Sequence, residues 1–214
     1  RFARLAKARV GRLILSCQPS LEPLLRDIEG VDEVVAVASD PKDEDIPALD
    51  QHAYMMTLPH LLDIEVQDLP VSFAYLHADA ARVENWRDLL ESNGQLKVGL
   101  VWAGNPLHTN DARRSLKVEQ LLPLSAVEPV KFFSILKGID VQQLEDVRAQ
   151  WSIPDLGNNF ADFADTAAVV ELLDLVIAVD TSVAHLCGAM NKPLWLLLPY
   201  VSDWRWLNGR EDSP

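Results

Sequence analysis

Short, almost wholly apolar runs alternate with stretches of helical periodicity along most of this chain, and few folds accept that pattern. Residues 13–17 (Leu13-Ile14-Leu15-Ser16-Cys17) read as a strand buried on both faces, and 34–37 as the next strand. Between them a helical pattern opens at Pro19-Ser20, runs through Leu21, Leu24, Leu25 and Ile28, and stops at Gly30. Residues 53–57 predict a further strand, and Leu58-Pro59-His60-Leu61-Leu62 the start of a short helix. A helix is expected over 79–91, with Val83, Trp86, Leu89 and Leu90 on one face. The break Ser92-Asn93-Gly94-Gln95 then opens a second series. Its strands are 98–102, 131–136, 175–179 and 194–198, separated by helical patterns near 118–124, 142–149, 163–173 and 183–190. Strands alternating with helices in this way predict βαβ units, hence an α/β fold of parallel sheets with helices on both faces. The series divides into two Rossmann-like lobes, 1–92 and 93–214, without internal repeats.

Charge narrows the function. The 214 residues carry 19 Lys+Arg against 32 Asp+Glu, a net charge of −13. Residues 1–92 hold 9 Lys+Arg against 17 Asp+Glu, and 93–214 hold 10 against 15. Neither lobe supplies the positive field that nucleic acid or an anionic lipid surface requires. Any anion site must therefore be local. The acidic stretch 40–45 reads as a solvated loop, and no apolar run is long enough for a transmembrane segment. Cys17 and Cys187 lack the spacing of a disulfide framework or a metal site, which fits a reducing, cytoplasmic setting. Arg1 to Lys7 reads as the middle of an amphipathic helix and the end at Pro214 is abrupt, so a fragment of a longer chain is expected.

Ligands of open parallel sheets bind beyond the carboxyl ends of the strands. One such turn is Asp180-Thr181-Ser182, where an apolar strand runs directly into a helix. First-turn N–H groups and hydroxyls there suit a diphosphate, and His185 lies one turn deeper on the face of Thr181. The plainer alternative makes Asp180 a helix N-cap, His185 a core residue, and Ala184, Gly188 and Ala189 close-packing residues. The long polar turn after Trp102 is the second candidate. Asn105 and Arg114 lie in it, and Arg113-Arg114 offers a guanidinium fork for phosphate; a solvated loop with an Arg pairing a carboxylate is the alternative. Lys137 puts a cation directly after the strand 131–136. Asp203-Trp204-Arg205-Trp206 follows the last strand, where the indoles either stack on a base or sugar or pack over the sheet end. Asp162 before the helix near 163 is explained by capping. No GxGxxG fingerprint, metal-ligand set or cofactor motif is present.

Taken together, Trp102-Ala103-Gly104-Asn105-Pro106, Arg114-Ser115, Asp162-Phe163-Ala164-Asp165-Thr166, Asp180-Thr181-Ser182-Val183-Ala184-His185 and Asp203-Trp204-Arg205-Trp206 resemble one module. It is the glycosyltransferase module that follows tetratricopeptide repeats in many bacterial proteins, akin to the ADP-heptose heptosyltransferases of glycosyltransferase family 9. The resemblance is dense over 97–206 and looser over 1–92. It implies the GT-B fold of two facing Rossmann-like lobes, with an incomplete acceptor-side lobe in 1–92 and the nucleotide-sugar lobe in 93–214. It implies an inverting, metal-independent transferase that takes a nucleoside-diphosphate sugar and a saccharide or protein acceptor, with tetratricopeptide repeats upstream. Residue by residue, it places Asn105, Arg114, Lys137, Asp180, Thr181, Ser182 and His185 at the donor. The base belongs to a Gly-Asp loop that would precede Arg1. A non-catalytic nucleotide-sugar-binding module and a nucleotide-sugar epimerase are the rival readings.

Overall fold

The computed structural model describes residues 1–38, 48–69, 74–138 and 141–207. The acidic stretch 40–45 and the terminal Asp212-Ser213-Pro214 lie outside them. The amino-terminal part starts with a short helix, α1 (Ala3–Lys7), followed by β1 (Ile14–Cys17), α2 (Glu22–Leu25) and β2 (Glu33–Ala36). β1 and β2 pair in parallel, Ile14 opposite Glu33 and Cys17 opposite Ala36.

The strand expected over 53–57 does not form. Met55–Thr57 is a 3-10 turn that runs into α3 (Leu58–Leu61). The Thr57 hydroxyl and N–H both donate to the Tyr54 carbonyl, at 2.7 and 2.9 Å. Tyr54, Met55 and Met56 are exposed, and among the described residues no strand lies beside the apolar run to bury it. The helix expected over 79–91 is α4 (Ala80–Arg87), capped by Asp79, whose carboxylate accepts the Arg82 N–H at 2.8 Å. It tightens into a 3-10 turn over Asp88–Leu90. That tightening turns Leu89 to solvent, while Trp86 and Leu90 are buried.

The second series is a four-stranded parallel sheet of β3 (Leu96–Val101), β4 (Val130–Ser134), β5 (Leu175–Val179) and β6 (Leu194–Leu197) in the order β4-β3-β5-β6. Its connections include α5 (Asp111–Arg114), α6 (Val141–Val147), α7 (Phe163–Leu172) and α8 (Ser182–Ala189). The helical pattern near 118–124 is a 3-10 run over Val118–Ala126, where Pro123 withholds the N–H that an α-helix would use.

Both faces of the sheet are covered, as its apolar strands require. On one face Val101, Phe133, Val176 and Ala178 pack with Trp86 and Leu90 and with the inward residues of α7 and α8. On the other, Val98, Leu100, Phe132 and Ile177 pack with Val118, Leu121, Leu144, Val147 and Trp151. The period of two along β3 sends Val98 and Leu100 one way and Val101 the other. Edge strand β6 is only partly covered, and Trp195 is 64% exposed.

The amino-terminal part is fastened to this sheet through α7 and α8. Phe163 N–H donates to the Ser20 carbonyl at 3.0 Å, and Tyr75 N–H to the Ala189 carbonyl at 2.9 Å. Arg82 on α4 forks onto Asp162 at 2.8 and 3.0 Å and reaches Asp165 at 2.8 Å. Asp162 also caps α7 by accepting the Ala164 N–H at 2.8 Å, the capping role its position suggested.

Candidate functional site

The strand order itself creates a crevice. From β3 the chain moves to β4 on one side; from β5 it moves to β6 on the other. The loops leaving the carboxyl ends of β3 and β5 therefore diverge, and a ligand can enter between them.

The loop after β3 is organised from within. The Trp102 carbonyl accepts the Leu116 N–H at 2.7 Å, closing the loop at its base. Ser115 Oγ accepts the Gly104 N–H and donates to Asp111 Oδ1, both at 2.9 Å. Arg114 donates from Nε to Asp111 Oδ1 at 3.2 Å and from Nη1 to the Asp180 carbonyl at 2.7 Å. The second bond spans the crevice between β3 and β5. Its guanidinium lies close against Gly104, where a Cβ would sit 2.4 Å from Nη2, so the close approach requires glycine. Arg114 therefore pairs with a carboxylate, as the plainer reading had it, and also joins the two turns.

The turn after β5 departs from the plainer reading. Thr181, not Asp180, is the N-cap of α8; it is extended (φ −140°) and its side chain makes no capping hydrogen bond. Its Oγ1 is buried without a partner among the described residues. His185 is not in the core: its side chain is 49% exposed and its ring stacks on Trp206, centroids 4.7 Å apart at 12°. Its Nε2 lies 3.7 Å from Asp180 Oδ1. Burial favours the neutral ring and holds the imidazole below its ordinary pKa, against the opposing pull of the Asp180 charge. Ala184 and Ala189 are buried close-packing residues, but Gly188 faces open space.

A third strand end completes the wall. After β6, Asp203 caps a 3-10 turn over Trp204–Trp206 by accepting the Arg205 N–H at 3.0 Å. Burial acts to raise the Asp203 pKa, but this bond and the Arg205 guanidinium outweigh it and hold the carboxyl below its ordinary range.

Arg114, Asp180, Thr181, Ser182 and His185 line one open cleft of about 600 Å³, a volume suited to a nucleotide-sized ligand. Asn105 does not join them. It is exposed, and its Oδ1 accepts the Leu107 N–H at 2.9 Å within its own loop. Lys137 is also elsewhere, donating from Nζ to the Phe160 carbonyl. The cleft includes His108, Asn110 and Arg205, which the sequence reading did not place at the donor. Their signal was available, since each lies in a turn that follows a strand of the same sheet. Among the described residues no group of three or more His, Cys, Asp or Glu is gathered as metal ligands would be. No helix of the described residues is long and apolar enough to cross a membrane.

No family model matches the chain. Protein FlbA of Caulobacter vibrioides is 29% identical over 150 residues, which cover 68% of this chain and 25% of that protein. The chain thus spans about a quarter of the length of this curated relative. Two solved structures share its fold. One, a glycosyl transferase of family 9 from Veillonella parvula, superimposes with a TM-score of 0.66 over 94% of this chain and 77% of that one, at 11% identity. The other, the ADP-heptose lipopolysaccharide heptosyltransferase II of E. coli, gives a TM-score of 0.62 over 91% and 78%, at 12% identity. The mixed α/β architecture with parallel sheets is therefore that of glycosyltransferase family 9 structures.

Proposed function

We propose that the chain forms the donor-binding side of a glycosyltransferase that moves a sugar from a nucleoside-diphosphate sugar to an acceptor hydroxyl, on a saccharide or a protein. The observation that carries this reading is the Arg114 bond to the Asp180 carbonyl. It brings a guanidinium and the uncapped start of α8 to one crevice, at the place where parallel α/β sheets take nucleotides. The shared fold supports the same reading.

The reaction proposed is a single displacement with inversion, without a metal ion. The acceptor oxygen attacks the anomeric carbon as the bond from that carbon to the diphosphate oxygen breaks, and a base takes the acceptor proton. Negative charge grows on the departing diphosphate, where Arg114 and the positive end of the α8 dipole stabilise it. Asp180 faces the sugar hydroxyls as an acceptor, and His185, neutral and held against Trp206, offers a fixed ring edge beside it. Lys137 remains a cation at the neighbouring strand end, outside the cleft in this conformation.

Calorimetric titration of the complete protein with ADP, UDP, GDP and dTDP tests the proposal. At least one should bind. Arg114→Ala should weaken that binding by roughly 1.5–3 kcal/mol, the worth of a hydrogen bond to a charged group. Arg113→Ala, at an exposed position, should change it by under about 0.5 kcal/mol. Failure of every diphosphate to bind, or equal affinities for parent and Arg114→Ala, would overturn the reading.

A further inference from the structure

We propose that Arg205 is the second diphosphate-binding cation of the cleft, braced by Trp204 and Asp203; this rests on the donor-site reading above. The charges that line the crevice call for it. Arg114 pairs with the Asp111 carboxylate and shares the cleft with Asp180 and Asp203. A second cation in the cleft offsets part of that negative charge, and Arg205 is the other guanidinium among its lining residues. Arg114 is also largely committed: its side chain is 13% exposed, and Nε and Nη1 already donate to protein oxygens.

Arg205 lines the same cleft from a separate element, the turn after β6. Its side chain is 39% exposed, hence within reach of a ligand. Nη1 donates to Asp203 Oδ1 at 2.7 Å, and the guanidinium carbon lies 4.9 Å from the centre of the Trp204 ring. Those two contacts fix its direction without exhausting its donors. The partner of Nη2 is the Met56 sulfur at 3.5 Å, a weak acceptor. A phosphate oxygen is a far stronger one, so an incoming diphosphate would replace the thioether. Because the Asp203 carboxylate also accepts the Arg205 N–H, it stays in place and continues to aim the guanidinium.

The test compares parent, Arg205→Ala and Arg205→Gln in the complete protein. Each is titrated with ADP, UDP, GDP and dTDP and with the matching free nucleosides, at low and high salt. Both variants should lose about tenfold or more in affinity for the diphosphate that binds the parent, yet hold the nucleoside as the parent does. The gap should narrow as salt rises. Arg148→Ala, an exposed residue paired with Glu145, should match the parent throughout. If Arg114→Ala weakens diphosphate binding and neither Arg205 variant does, this assignment falls and the donor-site reading stands. Equal losses for diphosphate and nucleoside would also overturn it, since Arg205 would then shape the rim rather than meet the charge. If no diphosphate binds the parent, both fall together.

Discussion

Gly104→Ala should behave as a mutation of Arg114, although it touches neither a strand nor the proposed ligand. A Cβ at position 104 would stand 2.4 Å from Arg114 Nη2, 2.8 Å from its Cζ and 2.7 Å from Asp111 Oδ1. Ordinary contact begins near 3.4 Å, so the guanidinium must move by about 1 Å. Its bond to the Asp180 carbonyl is 2.7 Å long, and a shift of that size carries it past good hydrogen-bond geometry. The structure offers little slack, because Arg114 and Asp111 are only 13% and 15% exposed. The expected cost is that of a charged hydrogen bond, about 1.5–3 kcal/mol of stability by urea denaturation. A double-mutant cycle with Arg114→Ala isolates the cause. If glycine serves only to admit the guanidinium, the double variant should be no less stable than Arg114→Ala alone. Losses that add within about 0.5 kcal/mol would show independent effects and refute the reasoning, as would a Gly104→Ala variant as stable as the parent.

Arg82→Met should destabilise the fold by about 1–3 kcal/mol near neutral pH, because Asp162 and Asp165, both mostly buried, lose their cation. Burial tends to raise the Asp165 pKa, but the Ala161 N–H, Arg82 and Trp86 hold it below the ordinary value. The stability gained from that depression is present above about pH 4 and lost as pH falls further, so parent and variant should converge in acid denaturation. Gly188→Ala should stabilise the protein by about 0.5–1 kcal/mol in a thermal melt, since nothing lies within 4 Å of its Cβ and α8 gains helix propensity. Gly157→Ala should do the reverse, because its Cβ would lie 2.3 Å from the Leu136 carbonyl oxygen, a backbone atom. His185 has its pKa depressed by burial, so its contribution to stability is present above about pH 6.5 and fades as pH falls below it. A bound diphosphate favours the imidazolium, and binding near pH 6 should take up a proton; calorimetry in buffers of different ionisation enthalpy would show no buffer dependence if it does not.

The second sheet was legible because β3, β4 and β5 are largely buried on both faces and, like the partly covered β6, leave continuous apolar runs. Residues 175–179 coincide with β5, and the neighbouring strands shift by only a few residues. The first part was harder to read, since Ala53 to Thr57 has a strand's composition but no partner to pair with. Propensity states what a segment tolerates; a ladder partner decides whether it extends. The same gap separates the site residues. Asp180, Thr181, Ser182 and His185 follow from helical spacing after a strand, which is local. That Asn105 turns back into its own loop depends on an Asx bond, and that Lys137 reaches Phe160 depends on a segment 23 residues away. Arg205 was visible as a residue, but its membership of the cleft depends on β6 lying beside β5.

The divergence of the chain on either side of β3 and β5 also separates two kinds of mutational burden. The crevice exists because of the order in which strands are laid down, and that order is enforced by side chains buried under helices on both faces. The lining comes from three turns, in which Val183, Ala184 and Trp206 also belong to the core while His108, Asn110, Ser182 and Arg205 do not. Substitutions at the lining positions of the turns outside the core can therefore alter which ligand is held while leaving the scaffold intact, whereas substitutions in the strands threaten folding before they touch recognition. Changing the ligand preference of this chain should accordingly be a matter of rewriting lining residues such as His108, Asn110, Ser182 and Arg205, with the sheet, Gly104, Asp111, Arg114, Ala184 and Trp206 kept as they stand.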